Sequence, residues 1–148
     1  MTPGKPQKTK PADIEPRCAP IDGLRFRLPW PPSVNGYWRA VVIGGKVRQI
    51  LSREARAYHK AAVLRLALQG VHRAGVNQRV RVFIEAAEPV GKRRRDLDNV
   101  LKAAIDAVVH GGVLQDDALI DRLEIRRMPF KVDKGELWVS VVNMDGGA

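Results

Sequence analysis

From Leu24 onward the chain alternates, with Leu24, Phe26 and Leu28 set against Arg25 and Arg27, the period-two signature of a strand with one buried face. The PWPPS that follows must end the strand, because proline cannot donate to a ladder. AVVI and KVRQIL then flank Gly44-Gly45, a pair that supplies the positive φ angles of a tight hairpin turn. Ser52 reads as the N-cap of a helix over residues 53–69, in which Ala55, Tyr58, Ala62 and Leu66 recur at helical spacing up to Gly70. RVRVFIEAA, residues 79–87, alternates again, and Pro89 and Gly91 close it. From Leu97 the residues Leu97, Leu101, Ala104, Ile105 and Val108 trace one helical face as far as His110-Gly111-Gly112. LIDRLEIRR and GELWVSVVN, near residues 119–127 and 135–143, finish as two strands. This order predicts an α+β fold: a single domain with one mixed β-sheet and two main helices packed on it.

The first 22 residues are rich in proline and lysine and have almost no apolar periodicity. They predict a flexible tail, residues 1–22, in front of a folded domain over residues 23–145. Lys5, Lys8 and Lys10 could graze phosphates, or the tail has no role. At 148 residues the chain is long enough for one compact domain with its own core. Lys and Arg number 26 against 16 Asp and Glu, a formal net charge of +10, and such a balance is typical of proteins that meet polyanions, nucleic acid first. The single cysteine, Cys18, cannot form an intramolecular disulfide. No apolar run approaches the ~18 residues of a spanning helix. The expectation is a soluble, cytoplasmic protein with no membrane partner.

The charges concentrate at RRRDLDN, residues 93–99. Asp98 lies at or just before a helix start, where free N–H groups and the dipole favour an anion, so capping alone would account for it. It does not account for Asp96, which in an extended segment would project to the same side as Asp98. Lys102 follows four residues into the helix and Asp106 four further on, a stripe that also reads as ordinary solvated surface. Asp116-Asp117 follows the Gly111-Gly112 turn, from which a carboxylate could return toward Asp96 and Asp98. Three carboxylates within ~5 Å would repel by roughly 3 kcal/mol per pair at an effective dielectric near 20, so they would need protons or a cation. Oxygen-only ligands point to Mg²⁺, or Mn²⁺ in its place. His59, His72 and His110 have no zinc-ligand spacing, and Ser33, Ser52 and Ser140 sit in no nucleophile-elbow pattern. Carboxylates around a divalent ion beside Arg93, Arg94, Arg95 and Lys102 suit phosphodiester hydrolysis. A module that only binds nucleic acid has no use for four aspartates that repel its ligand.

LPWPPSVN near the first strand, then RRRDLDNVLKAAIDAV, then a small-residue turn and LQDD, resemble in order and spacing the RusA family of Holliday junction resolvases, over roughly residues 24–143. The resemblance implies a homodimeric, Mg²⁺-dependent endodeoxyribonuclease that cuts four-way DNA junctions by paired symmetric nicks, in recombination and repair. It implies Asp96, Asp98 and Asp117 as metal-binding catalytic carboxylates and Lys102 as a catalytic cation. Asp116 would be a supporting acid, Asn99 would orient a ligand or cap the helix, and Arg93, Arg94 and Arg95 would lie on the DNA side. A two-fold dimer suits a junction that offers two equivalent strands, with Tyr37 and Trp38 as exposed aromatics for a junction wedge or for packing. Where such proteins often carry lysine in the penultimate strand, this chain has Arg126 and Arg127. The alternatives are a metal-dependent nuclease for other branched or single-stranded DNA, and a non-catalytic DNA-binding protein.

Overall fold

The computed structural model describes residues 23–33 and 37–144; the proposed tail lies outside the described residues. The elements run β1 (Gly23–Pro29), β2 (Trp38–Ile43), β3 (Lys46–Leu51), α1 (Arg53–Leu68), β4 (Val80–Ala87), α2 (Leu97–His110), a 3-10 turn (Asp117–Leu119), β5 (Ile120–Arg127) and β6 (Glu136–Asn143). Each predicted strand and helix forms where its periodicity places it. Phe26 and Leu28 are buried and Arg25 and Arg27 are exposed, as the alternation requires. Gly44 and Gly45 take φ of 58° and 77°, a pair of left-handed residues that only a primed hairpin turn needs. Ser52 caps α1 by accepting from Ala55 N at 3.2 Å.

The main sheet has the order β1-β6-β4-β5. β6 pairs antiparallel with both β1 and β4, while β4 and β5 run parallel. Parallel neighbours need a crossover, and α2 with the 3-10 turn supplies it. Val80, Val82 and Ile84 of β4, Val139 and Val141 of β6, and Val100, Ala104 and Val108 of α2 form one core with Ala62 and Leu66 of α1.

The expected mixed sheet with two helices is present, and beside it the hairpin strands β2 and β3 form a separate two-stranded sheet. The outer edge of β1 shows why. Gln69, the C-cap of α1, accepts from Arg27 N at 2.7 Å and donates to Arg27 O at 2.8 Å. A side-chain amide thus takes the backbone groups a further strand would use. The hairpin docks instead through Tyr37 and Leu51, which pack on Ala55 of α1 and Ala103 of α2. No helix among the described residues is long and apolar enough to cross a membrane.

Candidate active site

The helix predicted to begin at Asp98 begins one residue earlier. Leu97 is its first residue, and Asp96 occupies the N-cap position at φ −65°, ψ 135°, with no side-chain hydrogen bond to the helix. Asp98 lies in the first turn, so the capping role expected of it is corrected. Asp96 keeps the extended backbone of an N-cap, while Leu97 and Asp98 are already helical. What the two share is the positive end of the α2 dipole. Both are exposed, and Asn99 beside them is half-buried.

Of the three arginines, Arg93 and Arg94 are exposed, whereas Arg95 is half-buried. The Arg95 guanidinium donates to Pro31 O and lies 5.6 Å from the Trp30 ring centroid. Burial pulls its pKa below the usual guanidinium value. The LPWPP stretch that ends β1 is thereby the seat of the arginine that leads into α2. From the other side, Arg127 at the end of β5 donates to Arg95 O from both terminal nitrogens at 3.1 Å.

Lys102 lies exposed one turn beyond Asp98, and Asp106 lies half-buried one turn beyond that. Burial raises the Asp106 pKa, Lys102 lowers it and the charge of Asp117 raises it. Sequence alone treated Asp106 as surface; its burial is the signal that places it beside the site. Asp117 opens the 3-10 turn. Asp116 caps that turn by accepting from Ala118 N at 2.9 Å, and this bond, followed by one with the Asp117 side chain, holds its pKa below the usual carboxylate range.

The charge of Asp117 thus reaches Asp106, two turns further along α2 than Asp98. Leu97 to His110 spans roughly 20 Å at 1.5 Å per residue. The backbone just before Asp96 is tied to Arg127, while Asp117 precedes Ile120, and these two ends of β5 are about 23 Å apart at the rise of a strand. Asp117 and the backbone of Asp96 are thus referred to opposite ends of β5. Among the described residues, no three His, Cys, Asp or Glu side chains come together as a metal-holding group. The donors present still fit a hard divalent ion in kind, since Mg²⁺ takes one or two carboxylates and completes its shell with water and phosphate.

Tyr37, expected among exposed aromatics, is buried and packs, whereas Trp38 is 43 % exposed. Trp38 lines a shallow cleft with Tyr37, Lys102, Ala103 and Asp106. Lys102 thus shares a surface with an exposed aromatic ring.

A basic α+β domain that sets unpaired-helix-end carboxylates beside a lysine and exposed arginines has the make-up of a phosphodiester-cleaving nuclease. Residues 29–141 match the family described as endodeoxyribonuclease RusA, and the chain belongs to that family. It is 32% identical over 125 residues to the crossover junction endodeoxyribonuclease rusA of Enterobacteria phage HK97, covering 84% of this chain and 98% of the relative. With the crossover junction endodeoxyribonuclease RusA of Escherichia coli it shares 39% identity over 117 residues, 79% of this chain and 92% of the relative. The corresponding protein of Enterobacteria phage 82 is 38% identical over 124 residues, 84% of this chain and 98% of the relative.

Proposed function

We propose that this chain resolves four-way DNA junctions by paired nicks, acting as a homodimer in the cytoplasm, with residues 23–145 as the nuclease unit and residues 1–22 as an extension outside it. The observation that carries the reading is the uncommitted carboxylate of Asp96 at the N-cap of α2, in a member of the RusA family. Asp96 and Asp98, with Asp117 of a second copy, would hold Mg²⁺, or Mn²⁺ in its place, which when bound supplies charge neutralisation at the scissile phosphate and a more acidic attacking water. Lys102 then contributes a fixed positive charge one turn from Asp98, suited to the extra charge that builds on phosphate in the transition state. Arg93 and Arg94 grip phosphates as exposed charges, and Arg95 fixes the loop that carries them. Asn99 orients its aspartate neighbours, and Asp116 supports Asp117 by capping the turn that Asp117 opens.

The placement of Asp117 before one end of β5, with the backbone of Asp96 tied to the other, favours a dimer with a specific form. A two-fold axis across α2 sets two antiparallel copies of the helix side by side, which brings Asp117 of one copy toward Asp96 and Asp98 of the other. Each dimer then has two composite sites, one for each of the opposed strands of a junction.

The test is cleavage of a labelled four-way junction and a linear duplex of matched sequence, with Mg²⁺ or EDTA, with Asp98→Asn as control. Paired nicks in the junction alone, lost with EDTA or the substitution, support the reading. Junction binding without cutting under any of these conditions would leave a DNA-binding protein and sink it.

A further inference from the structure

The carbonyl of Arg95 belongs to the peptide that joins it to Asp96, and Arg127 grips that oxygen with both terminal nitrogens at 3.1 Å. Arg127 is itself paired with Glu88, whose side chain is 5% exposed against 23% for the arginine. A carboxylate buried this far stays ionised only against a cation, so the pair constrains the guanidinium. Arg127 ends β5 and Glu88 directly follows β4, where Met128 N donates to Ala86 O at 2.8 Å and Val132 N donates to Glu88 O at 3.0 Å. The Arg95 side chain is anchored separately, on Pro31 O and over Trp30. Asp96 has no such side-chain anchor on the helix it starts. Its direction is inherited from its backbone, and Arg127 holds that backbone.

We propose that Arg127, held by Glu88, is a positioning residue for cleavage: it aims the Asp96 carboxylate by fixing the Arg95–Asp96 peptide. This rests on the reading of Asp96 as a cleavage carboxylate. The planar fork of arginine matters here, because two nitrogens converge on one oxygen while the same group meets a carboxylate; a lysine ammonium is a single point charge and lacks this geometry. A misplacement of about 1 Å in such a site costs on the order of 10²-fold in rate.

The experiment uses the full chain and five variants: Arg127→Ala, Arg127→Lys, Glu88→Gln, Asp96→Asn and the Arg127→Ala/Asp96→Asn double. Junction affinity is measured in EDTA, and the single-turnover cleavage rate at saturating protein with Mg²⁺. Arg127→Ala is expected to slow cleavage by about 10²-fold while junction affinity changes by less than about threefold. Added guanidinium ion should restore part of the rate of Arg127→Ala and none of that of Asp96→Asn. The double variant should cleave no more slowly than Asp96→Asn alone.

Arg94 and Lys131 line the same cleft as Arg127 and Glu88, so the rival role for Arg127 is a direct phosphate contact. Weakened junction binding, a salt slope reduced by about one and an unchanged rate at saturation would establish that role and overturn the proposal. A further loss in the double variant would also overturn it, since Arg127 would then act apart from Asp96. Full activity in Asp96→Asn would instead defeat the underlying reading of Asp96. Should Arg127→Ala fail to fold, Arg127→Lys carries the test: it keeps the charge beside Glu88 and loses the fork, and a wild-type rate in that variant overturns the proposal.

Discussion

The hydroxyl of Tyr37 and Nε2 of His59 meet at 2.5 Å in a buried contact that ties the hairpin to α1. Nδ1 of the same imidazole is buried with no hydrogen-bond partner among the described residues, and the ring stacks on His110 at 4.5 Å between centroids. Tyr37 is held in its protonated form, its pKa pushed up to about 12 by burial and then by Asp106. Burial, then the nearby His110, lowers the His59 pKa.

This contact predicts a pH dependence of stability. The folded ring resists a proton that the unfolded ring accepts near pH ~6.5. The contribution is therefore complete above the unfolded pKa and is lost as the pH falls through it toward the lowered folded value. The groups facing the ring are Tyr37, Tyr58 and His110, with Arg56 and Lys60 on the rim of the adjoining groove. Thermal melts at about pH 7.5 and 5.5 should show a larger fall in Tm for the wild type than for His59→Gln. Equal falls in the two proteins would remove His59 as the cause.

A second prediction follows from the placement of Asp117 before one end of β5, with the backbone of Asp96 tied to the other. Asp96→Asn and Asp117→Asn should each reduce cleavage to a residual rate as homodimers while junction binding persists. Mixed and re-annealed, they should form heterodimers in which one composite site carries no substitution and the other carries both. Single nicks should then return. If each site were built within one chain, every site in the heterodimer would be damaged, and the mixture would stay at the residual rate.

The surplus of ten positive charges predicts strongly salt-dependent binding. If ~6 phosphates are neutralised, junction affinity falls by about 10³-fold or more between roughly 50 and 200 mM salt. Arg93→Ala and Arg94→Ala should each reduce the slope of log affinity against log salt by about one. A flat profile in the titration would exclude phosphate contact as the basis of binding.

Local periodicity made the strands and helices legible. Leu24 to Leu28, the Gly44-Gly45 turn and the Ser52 cap depend on neighbours a few residues away, and for them the chain is its own template. RRRDLDN, with Lys102 and the Asp116-Asp117 pair in order, was likewise enough to point to phosphodiester chemistry and to the RusA family. The cap of α2 lies two residues before the one the sequence suggests, because aspartate is a good cap at either position and local pattern does not choose between Asp96 and Asp98.

What only tertiary structure decided are contacts between residues far apart in the chain. The Arg127 grip on Arg95 spans 32 residues, and the Gln69 clasp that keeps the hairpin out of the main sheet spans 42. Neither leaves a periodic trace, since each depends on which strand ends meet. The same holds for Asp117. Sequence places it seven residues beyond the end of α2, but the parallel pairing of β4 with β5 fixes which end of the sheet it precedes, opposite the end tied to the backbone before Asp96.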